Sequence, residues 1–356
     1  MLLALLVCPL VALVSSLQVG VLKVCPHRCS CHDFSHFVDC KGRALSLVPG
    51  RIPYGTWMLD LRSNNLTEIP AASFSGLWSL RIILLSCNQL ELLHVGAFEG
   101  LGFLERLDLN RNRLKHLPED FSNGLQHLTE LKLSHNRIEY LHYNSMRYLE
   151  KLEKLDLSGN QIGSMEKGVF RGLTKLRNLL LKDNSLTVIE NGFFFMLQSL
   201  EALHLERNNI SSIQLEAFAS LRSLSLLGLN GNRLSHLTFK IFLNIQTQGT
   251  HLQLADNQWI CDCDLQRVFG KVLSVRHLHV DDYSNITCSD PGSLAGSLLV
   301  AVDSQLCMAE TATVLVITAT VLVTVIAAVV MAERNRKKNG NQERSESDSP
   351  FDSQEK

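Results

Sequence analysis

The sequence predicts an α/β protein built as a curved parallel β-solenoid, a horseshoe closed by a cysteine-rich cap at each end and followed by one transmembrane α-helix. Three observations support this fold class. One motif repeats at a strict period, cysteines cluster on both sides of the repeats, and an uncharged apolar run over residues 311–332 follows the second cluster. Self-similarity at a fixed period is typical of solenoids, in which each repeat buries its apolar side chains against its neighbours.

The repeat is marked by an asparagine that recurs at seven equal intervals along the chain. These asparagines are Asn64, Asn88, Asn112, Asn136, Asn160, Asn184, Asn208 and Asn232. Around each one the pattern is L-x-x-L-x-L-x-x-N-x-L. The L-x-L core is a short strand whose leucines point into the solenoid, and the asparagine amide satisfies backbone groups where the chain leaves the strand. The pattern predicts eight repeats over residues 58–250.

A second ladder consists of phenylalanines that lie ten residues after their asparagine. They are Phe74, Phe98, Phe170, Phe194, Phe218 and Phe242. Met146 replaces the ring in one repeat, and Phe121 comes one residue early in another. We therefore expect a buried aromatic stack under the convex surface, with a local distortion at Phe121.

The repeat pattern resembles that of the extracellular leucine-rich repeat superfamily, and the resemblance covers residues 25–307. Residues 25–57 begin with C-P-H-R-C-S-C followed by Cys40, and they look like the N-terminal cap of the family. Residues 251–307 contain N-Q-W-I-C-D-C with Cys288 and Cys307, and they look like its C-terminal cap. Caps are needed because the terminal repeats of a solenoid otherwise expose core leucines.

Eight of the ten cysteines lie in these caps, and spacing alone leaves three pairings open for each cap. A structural zinc site at each end is the alternative, but it suits a reducing compartment. The family resemblance implies disulfides, paired as Cys25–Cys31, Cys29–Cys40, Cys261–Cys288 and Cys263–Cys307. Cys87, one residue before Asn88, is predicted to be a partly buried free thiol, and an intermolecular disulfide is its alternative role.

Two apolar runs predict how the chain meets the membrane. Residues 1–16 look like a secretory signal peptide. Residues 311–332 carry no charge and form about 30 Å of helix, which is enough to span a bilayer. A basic cluster from Arg334 to Lys338 follows, so the positive-inside rule places the C-terminus in the cytoplasm. Residues 333–356 have the composition of a disordered tail.

The predicted span also offers a surface for association. Thr320, Thr324, Ala328 and Ala332 recur every four residues, so small side chains share one helical face. This face could support homo- or hetero-association with another helix. The alternative is that the threonine hydroxyls bond to their own helix backbone.

Side chains that flank the strand leucines point out of the concave sheet, because side chains alternate across a strand. This face, about 40 Å long for nine strands, presents an apolar patch beside a stretch of mixed charge. The patch is formed by Met58, Ile82 and Leu84, and the charged stretch by Asp60, Arg106, Asp108, Glu130, Lys132, Lys154 and Asp156. These residues are candidates for binding a protein partner. The alternative is that the charges only keep the sheet soluble.

Three sequons predict N-linked glycans, at Asn65, Asn209 and Asn285. Asn65 and Asn209 each follow a ladder asparagine directly, so their glycans would project from the same edge of the solenoid. That edge is not expected to bind a partner.

The composition excludes several classes of function. The net charge is −1 with no strongly basic domain, so nucleic-acid binding is not expected. The sequence lacks a phosphate-binding glycine loop, H-E-x-x-H and G-x-S-x-G, and a ridge of repeats offers no deep pocket, so we predict no enzyme, no cofactor and no metal.

The order of caps, repeats, single span and short tail is similar to that of the leucine-rich repeat and transmembrane domain-containing family. This resemblance implies a type I plasma-membrane glycoprotein that binds a protein partner in adhesion or as a receptor.

Two alternatives to this function remain. The auxiliary gamma subunits of large-conductance potassium channels share the caps, the span and the basic cluster, but usually have fewer repeats. The second alternative is an innate immune receptor akin to Toll-like receptors. The chain lacks the cytoplasmic signalling domain that such receptors use, which leaves the role of a co-receptor. Co-expression with a potassium channel would separate the first alternative from adhesion by its effect on gating.

Overall fold

The computed structural model describes residues 25–32, 34, 36–243, 245, 247, 249–302 and 306–346. The predicted signal peptide and residues 347–356 lie outside the described residues. Over the described part the chain is a parallel β-solenoid, as predicted, with disulfides near both ends and one long apolar helix after it. The solenoid has about ten turns, whereas the sequence predicts eight repeats.

The described residues form twenty strands and three α-helices, and most strands are only two or three residues long. In chain order the strands are β1 (Ser30–His32), β2 (Phe37–Asp39), β3 (Met58–Asp60), β4 (Glu68–Ile69), β5 (Ile82–Leu84), β6 (Leu92–Leu93), β7 (Arg106–Asp108), β8 (Glu130–Lys132), β9 (Tyr140–Leu141), β10 (Lys154–Asp156), β11 (Ser164–Met165), β12 (Asn178–Leu180), β13 (Val188–Ile189), β14 (Ala202–His204), β15 (Ser212–Ile213), β16 (Leu226–Gly228), β17 (Thr250–Gln253), β18 (Trp259–Ile260), β19 (Leu278–Val280) and β20 (Cys288–Asp290). The helices are α1 (Cys263–Ser274), α2 (Leu299–Val302) and α3 (Met308–Glu346).

The concave face is a sheet of twelve strands in the order β1-β2-β3-β5-β7-β8-β10-β12-β14-β16-β17-β19. Only the pair β1 and β2 is antiparallel. From β3 to β16 each residue pairs with its equivalent in the next repeat, as Met58 does with Ile82 and Ile82 with Arg106. Both caps add strands to this sheet, so it extends beyond the eight repeats at each end.

Each ladder asparagine joins two turns through the same three hydrogen bonds. In Asn112, Nδ2 donates to the carbonyls of Leu109 at 2.9 Å and Leu85 at 3.1 Å, and Oδ1 accepts from the backbone N–H of Leu90 at 3.0 Å. The same arrangement recurs at the other repeats. Asn257 continues it into the C-terminal cap. The ladder is therefore longer than the strict period of the sequence predicts.

The residue before each ladder asparagine adopts a left-handed backbone conformation. These residues are Ser63, Cys87, Arg111, His135, Gly159, Asp183, Arg207, Gly231 and Asp256. This conformation turns the chain out of its strand and directs the side chain away from the core. Cys87 consequently has an exposed thiol, so the prediction that it is partly buried is wrong.

The phenylalanine ladder is buried under the convex surface, and its predicted distortion is present. The rings of Phe74 and Phe98 are stacked with 7° between their planes, whereas Phe98 meets Phe121 edge to face at 82°. The convex backbone pairing also stops at this repeat. His94 donates to the Ile69 carbonyl at 3.0 Å, but Pro118, at the equivalent position of the next repeat, has no N–H to donate.

Both caps are closed by disulfides, and the pairs are those that the family resemblance implies. The N-terminal cap contains Cys25–Cys31 and Cys29–Cys40, and the C-terminal cap contains Cys261–Cys288 and Cys263–Cys307. In the C-terminal cap the α1 helix covers the last strands. Asp262 caps α1 by accepting from the Leu265 N–H at 2.8 Å.

The α3 helix contains a stretch, Ala312–Lys337, that is long and apolar enough to cross a membrane, with a mean hydropathy of 2.8. The helix continues to Glu346, whereas the sequence predicts disorder from residue 333. Once the apolar segment is helical, each added residue only propagates the helix, and the Glu, Arg, Lys and Gln residues that follow are good helix formers. The hydroxyls of Thr320 and Thr324 donate to carbonyls of their own helix, as the alternative to helix association predicts.

Removal of one ladder asparagine is expected to destabilise the solenoid. In Asn112→Ala two buried carbonyls and one buried N–H lose their partners, which should lower the free energy of unfolding by about 2–4 kcal/mol. The measurement is urea denaturation of the full-length protein in detergent, followed by tryptophan fluorescence. Asn178→Ala, on a half-buried strand position, is the control and should change it by less than about 0.5 kcal/mol. Equal losses in the two variants would contradict the role of the ladder.

The cap pairing and the exposed thiol predict a labelling pattern. A maleimide should add to one thiol per folded, unreduced chain, and Cys87→Ser should remove that label. After denaturation and reduction, the part of the chain from Cys25 onward should take up nine labels. More than one label on the folded chain, counted by intact mass, would show that a cap cysteine is unpaired.

Candidate functional site

The concave face presents two columns of side chains, one on each side of the buried strand centres. The central residues, such as Leu107 and Leu131, are fully buried, and their neighbours project outward as the alternation predicts. Adjacent strands are about 4.8 Å apart, so a side chain on one strand can cover the side chains of its neighbours. The exposure of a side chain on this face therefore depends on the neighbouring side chains that cover it.

The apolar patch at the N-terminal end is smaller than predicted. Leu84 is only 6% exposed, which leaves Met58 and Ile82 as its half-buried apolar members. Asp60 is 3% exposed because the guanidinium of Arg62 covers it, with a shortest N–O distance of 2.6 Å. Hydrogen bonding to Asp60 raises the pKa of Arg62. Neither Asp60 nor Leu84 offers a free surface to a partner.

Three residues of the predicted charged stretch form ion pairs with one another. Glu130 lies between two cations, with Arg106 Nε at 3.1 Å and Lys132 Nζ at 3.2 Å. Asp108 and Asp156 each accept the backbone N–H two residues later at 3.0 Å, so these carboxylates also support their own turns. The pairs are partly exposed, and each is worth no more than about 1 kcal/mol.

A shallow recess of about 200 Å³ opens beside these pairs. It is lined by Glu130, Lys132, Lys154, Asp156 and Leu180, together with Leu131. The structure thus brings four of the predicted candidate residues together around one depression. Lys154 is exposed and makes no salt bridge to any described residue, so its ammonium group is available to a partner.

The C-terminal half of the concave face contains a buried carboxylate. Glu206 is buried at 7% exposure, and its Oε1 lies 2.7 Å from His204 Nδ1. A Cβ at Gly228 would collide with this carboxylate, so the glycine provides the space that Glu206 occupies. This buried pair was not among the predicted candidates.

A second exposed surface lies along the edge where the strands begin. We call Tyr54, Trp57, Trp78 and Phe103 the aromatic edge. Their exposures are 70%, 40%, 63% and 49%. Tyr54 and Trp78 occupy the same repeat position, four residues before β3 and β5. Two of the three tryptophans of the chain are thus exposed on one edge, next to Met58 and Ile82.

Arg81 and His127 complete the aromatic edge. The guanidinium carbon of Arg81 lies 5.3 Å from the centroid of the Phe103 ring, and Arg81 also forms a 2.7 Å salt bridge with Glu105. His127 packs against Phe103 with 5.6 Å between the ring centroids. Aromatic and arginine side chains dominate the energetics of protein interfaces, so this composition suits binding.

Apart from Arg62, the groups with shifted pKa values lie outside the concave face. Hydrogen bonding to Arg207 lowers the pKa of Asp183, and hydrogen bonding to Glu166 raises the pKa of Tyr140 to about 12. One neighbouring partner explains each shift, which is typical of structural pairs. Within the described residues no group of three or more His, Cys, Asp or Glu side chains is placed to hold a metal ion.

The alternation of side chains along the strands does not predict the aromatic edge, because its residues lie before the strands. A usable signal was present. At the repeat position of Trp78, the later repeats carry Glu150, Thr174, Gln198 and Arg222. Large aromatic residues at the two N-terminal copies of a position that is polar in these later repeats indicate a surface with a special role.

The comparison with protein families matches the repeats. The leucine rich repeat profile matches residues 58–114, 102–162 and 174–234. Among curated proteins, bovine asporin is 39% identical over 66 residues, which cover 18% of this chain and 17% of asporin. Human decorin is 40% identical over 62 residues, which cover 17% of each chain. The matches therefore span less than a fifth of the length of these relatives.

Two solved structures share the solenoid over most of its length. Human 5T4, also called Wnt-activated inhibitory factor 1 or trophoblast glycoprotein, superposes with a TM-score of 0.58 at 25% identity, covering 78% of this chain and 96% of that chain. A chain in the octameric complex of latrophilin 3, Unc5D and the leucine-rich repeat part of FLRT2 gives a TM-score of 0.53 at 26% identity, covering 76% and 96%.

The asparagine ladder, the solenoid and these matches agree with one another. Residues 58–162 and 174–234 of this chain are leucine-rich repeats.

Proposed function

We propose that this chain is a type I plasma-membrane glycoprotein that binds a protein partner at the cell surface, in adhesion or as a receptor or co-receptor. The observation that carries the proposal is the aromatic edge, which continues onto the concave face through Met58 and Ile82. Exposed aromatic side chains of this size are unusual on a surface that meets only water.

The energetics favour the aromatic edge as the anchor of the interface. Truncation of a buried aromatic or arginine anchor typically costs about 2 kcal/mol or more, whereas an exposed salt bridge contributes about 0–1 kcal/mol. The paired charges around Glu130 are therefore expected to orient the partner, and the aromatic side chains to supply most of the affinity.

The solved relatives support a binding role. The chain in the FLRT2 complex is similar to this chain, and that complex joins FLRT2 to latrophilin 3 and Unc5D. The small single-pass leucine-rich repeat transmembrane proteins, which this chain resembles in plan, supply the proposed placement in the membrane. The α3 helix supplies a span of sufficient length.

The first test is proximity labelling on intact cells that express the full-length protein. We expect Trp78→Ala to reduce the recovery of the captured surface proteins at least about tenfold, because an interface anchor is lost. Phe195→Ala is the matched control, since Phe195 is 54% exposed on a distant repeat. Surface expression of both variants is measured in the same cells. Equal recovery for Trp78→Ala and Phe195→Ala would exclude the aromatic edge.

Charge reversal tests the concave part of the same surface. Arg106→Glu with Lys132→Glu would place three negative charges around one depression, and recovery should fall at least about threefold. Unchanged recovery would remove the concave face from the proposed interface.

Glycosylation tests the proposed orientation. Asn65 and Asn285 are exposed and Asn209 is half-buried, and only asparagines on the lumenal side receive N-glycans. Peptide N-glycosidase should increase the mobility of the protein, and Asn65→Gln, Asn209→Gln and Asn285→Gln should each remove one step. A mobility that the enzyme does not change would contradict an extracellular solenoid.

A further inference from the structure

The N-terminal cap contains an open cleft of about 660 Å³, which we call the cap cleft. One wall is the turn over residues 25–28, held by a 3.0 Å bond from the Cys29 N–H to the Pro26 carbonyl. The other wall is the segment over residues 44–51. Its volume is within the range of ligand-binding sites. The concave face and the aromatic edge do not contribute to it.

The charges around the cap cleft have one sign. Arg28 and Arg51 line it from opposite walls, together with His27, and Arg43 immediately precedes the second wall. All four side chains are exposed. Among the residues that the structure describes, no aspartate or glutamate lines the cleft, and none of the three arginines forms a salt bridge. Asp39, which does not line the cleft, accepts the N–H of Lys41 at 2.9 Å.

Several arginines of the solenoid differ from these three because they form salt bridges. Six of them have a carboxylate partner, as in Arg62–Asp60, Arg81–Glu105, Arg106–Glu130, Arg113–Glu91, Arg177–Glu201 and Arg207–Asp183. Both cleft arginines also have positive φ, at 68° for Arg28 and 61° for Arg51, a conformation that glycine or asparagine adopts at lower cost. Arginine at these positions is therefore not explained by the backbone.

Beside the polar Ser46, several apolar side chains line the rest of the cap cleft. Leu47 is 60% exposed within it, and Pro26, Val48 and Pro49 extend the apolar lining. A guanidinium binds a carboxylate through two parallel hydrogen bonds, and an exposed leucine between two such groups favours a ligand with an apolar side chain. A highly sulfated sugar would gain nothing from this apolar surface.

We propose that the cap cleft binds an extended segment of a partner protein in which acidic and apolar residues alternate. Carboxylates pair with Arg28 and Arg51, and an apolar side chain packs on Leu47. The site is independent of the surface proposed above, so it can fail or succeed separately. It lies near the predicted glycan edge, because the Asn65 N–H donates to the Leu45 carbonyl at 2.8 Å, and Leu45 lines the cleft.

The test uses the full-length protein in detergent and a short fluorescent peptide of alternating glutamate and leucine, followed by fluorescence anisotropy. The double variant Arg28→Asn with Arg51→Asn removes both charges, and asparagine accepts the positive φ at both positions. Affinity should fall about tenfold or more, as expected when charged hydrogen bonds are lost. Arg147→Asn with Arg171→Asn is the control, because it makes the same change in net charge at two exposed arginines of the repeats.

Two further measurements complete the design. Leu47→Ser should weaken the peptide at least about threefold, and a peptide with serine in place of leucine should bind wild type correspondingly less tightly. Each measurement is repeated after N-glycosidase treatment, because of the position of Asn65. Equal loss in the control variant would overturn the proposal, as would the absence of peptide binding. Tighter, Leu47-independent binding of a heparin hexasaccharide would overturn it in favour of a sulfated sugar.

Discussion

The structure depends on the way one amide satisfies three backbone groups at every turn. Parallel strands of three residues cannot form a stable sheet alone, and each turn out of a strand leaves carbonyl and N–H groups facing an apolar core. The ladder asparagine binds these groups and ties them to the turn before, as Asn112 does with Leu85 and Leu90. Because every ladder asparagine bonds to the preceding turn, the repeats keep a common register. That register aligns the concave side chains in straight columns.

The same regularity separates the roles of the surfaces. The edge where strands end carries the asparagine turns and the predicted glycans, and the edge where strands begin carries Trp57, Trp78 and Phe103. Between them, the concave face carries charges of both signs, of which Arg106, Glu130 and Lys132 are paired with one another. A partner that approaches the N-terminal half therefore meets an aromatic border beside a nearly neutral sheet, and at the end of the solenoid it meets the unpaired arginines of the cap.

The repeat length, the strand positions and the aromatic ladder could be predicted from sequence because they follow from a strict period and an alternation of side chains. Burial on the concave face could not. Leu84 and Asp60 point outward as expected, but their neighbours cover them, and such contacts depend on side-chain length and rotamer. The disulfide pairs required the family resemblance, since spacing alone was ambiguous. The cap cleft joins residues 25–28 to residues 44–51 across a turn that no periodic pattern describes.

The Cys263–Cys307 disulfide has a mechanical consequence. Cys307 immediately precedes the first residue of α3, and its partner lies at the start of α1. A pulling force on the long helix would pass through this covalent bond to Cys263 and bypass the whole segment between the two cysteines. That stretch would carry no tension, and the load would reach the solenoid at its last turns.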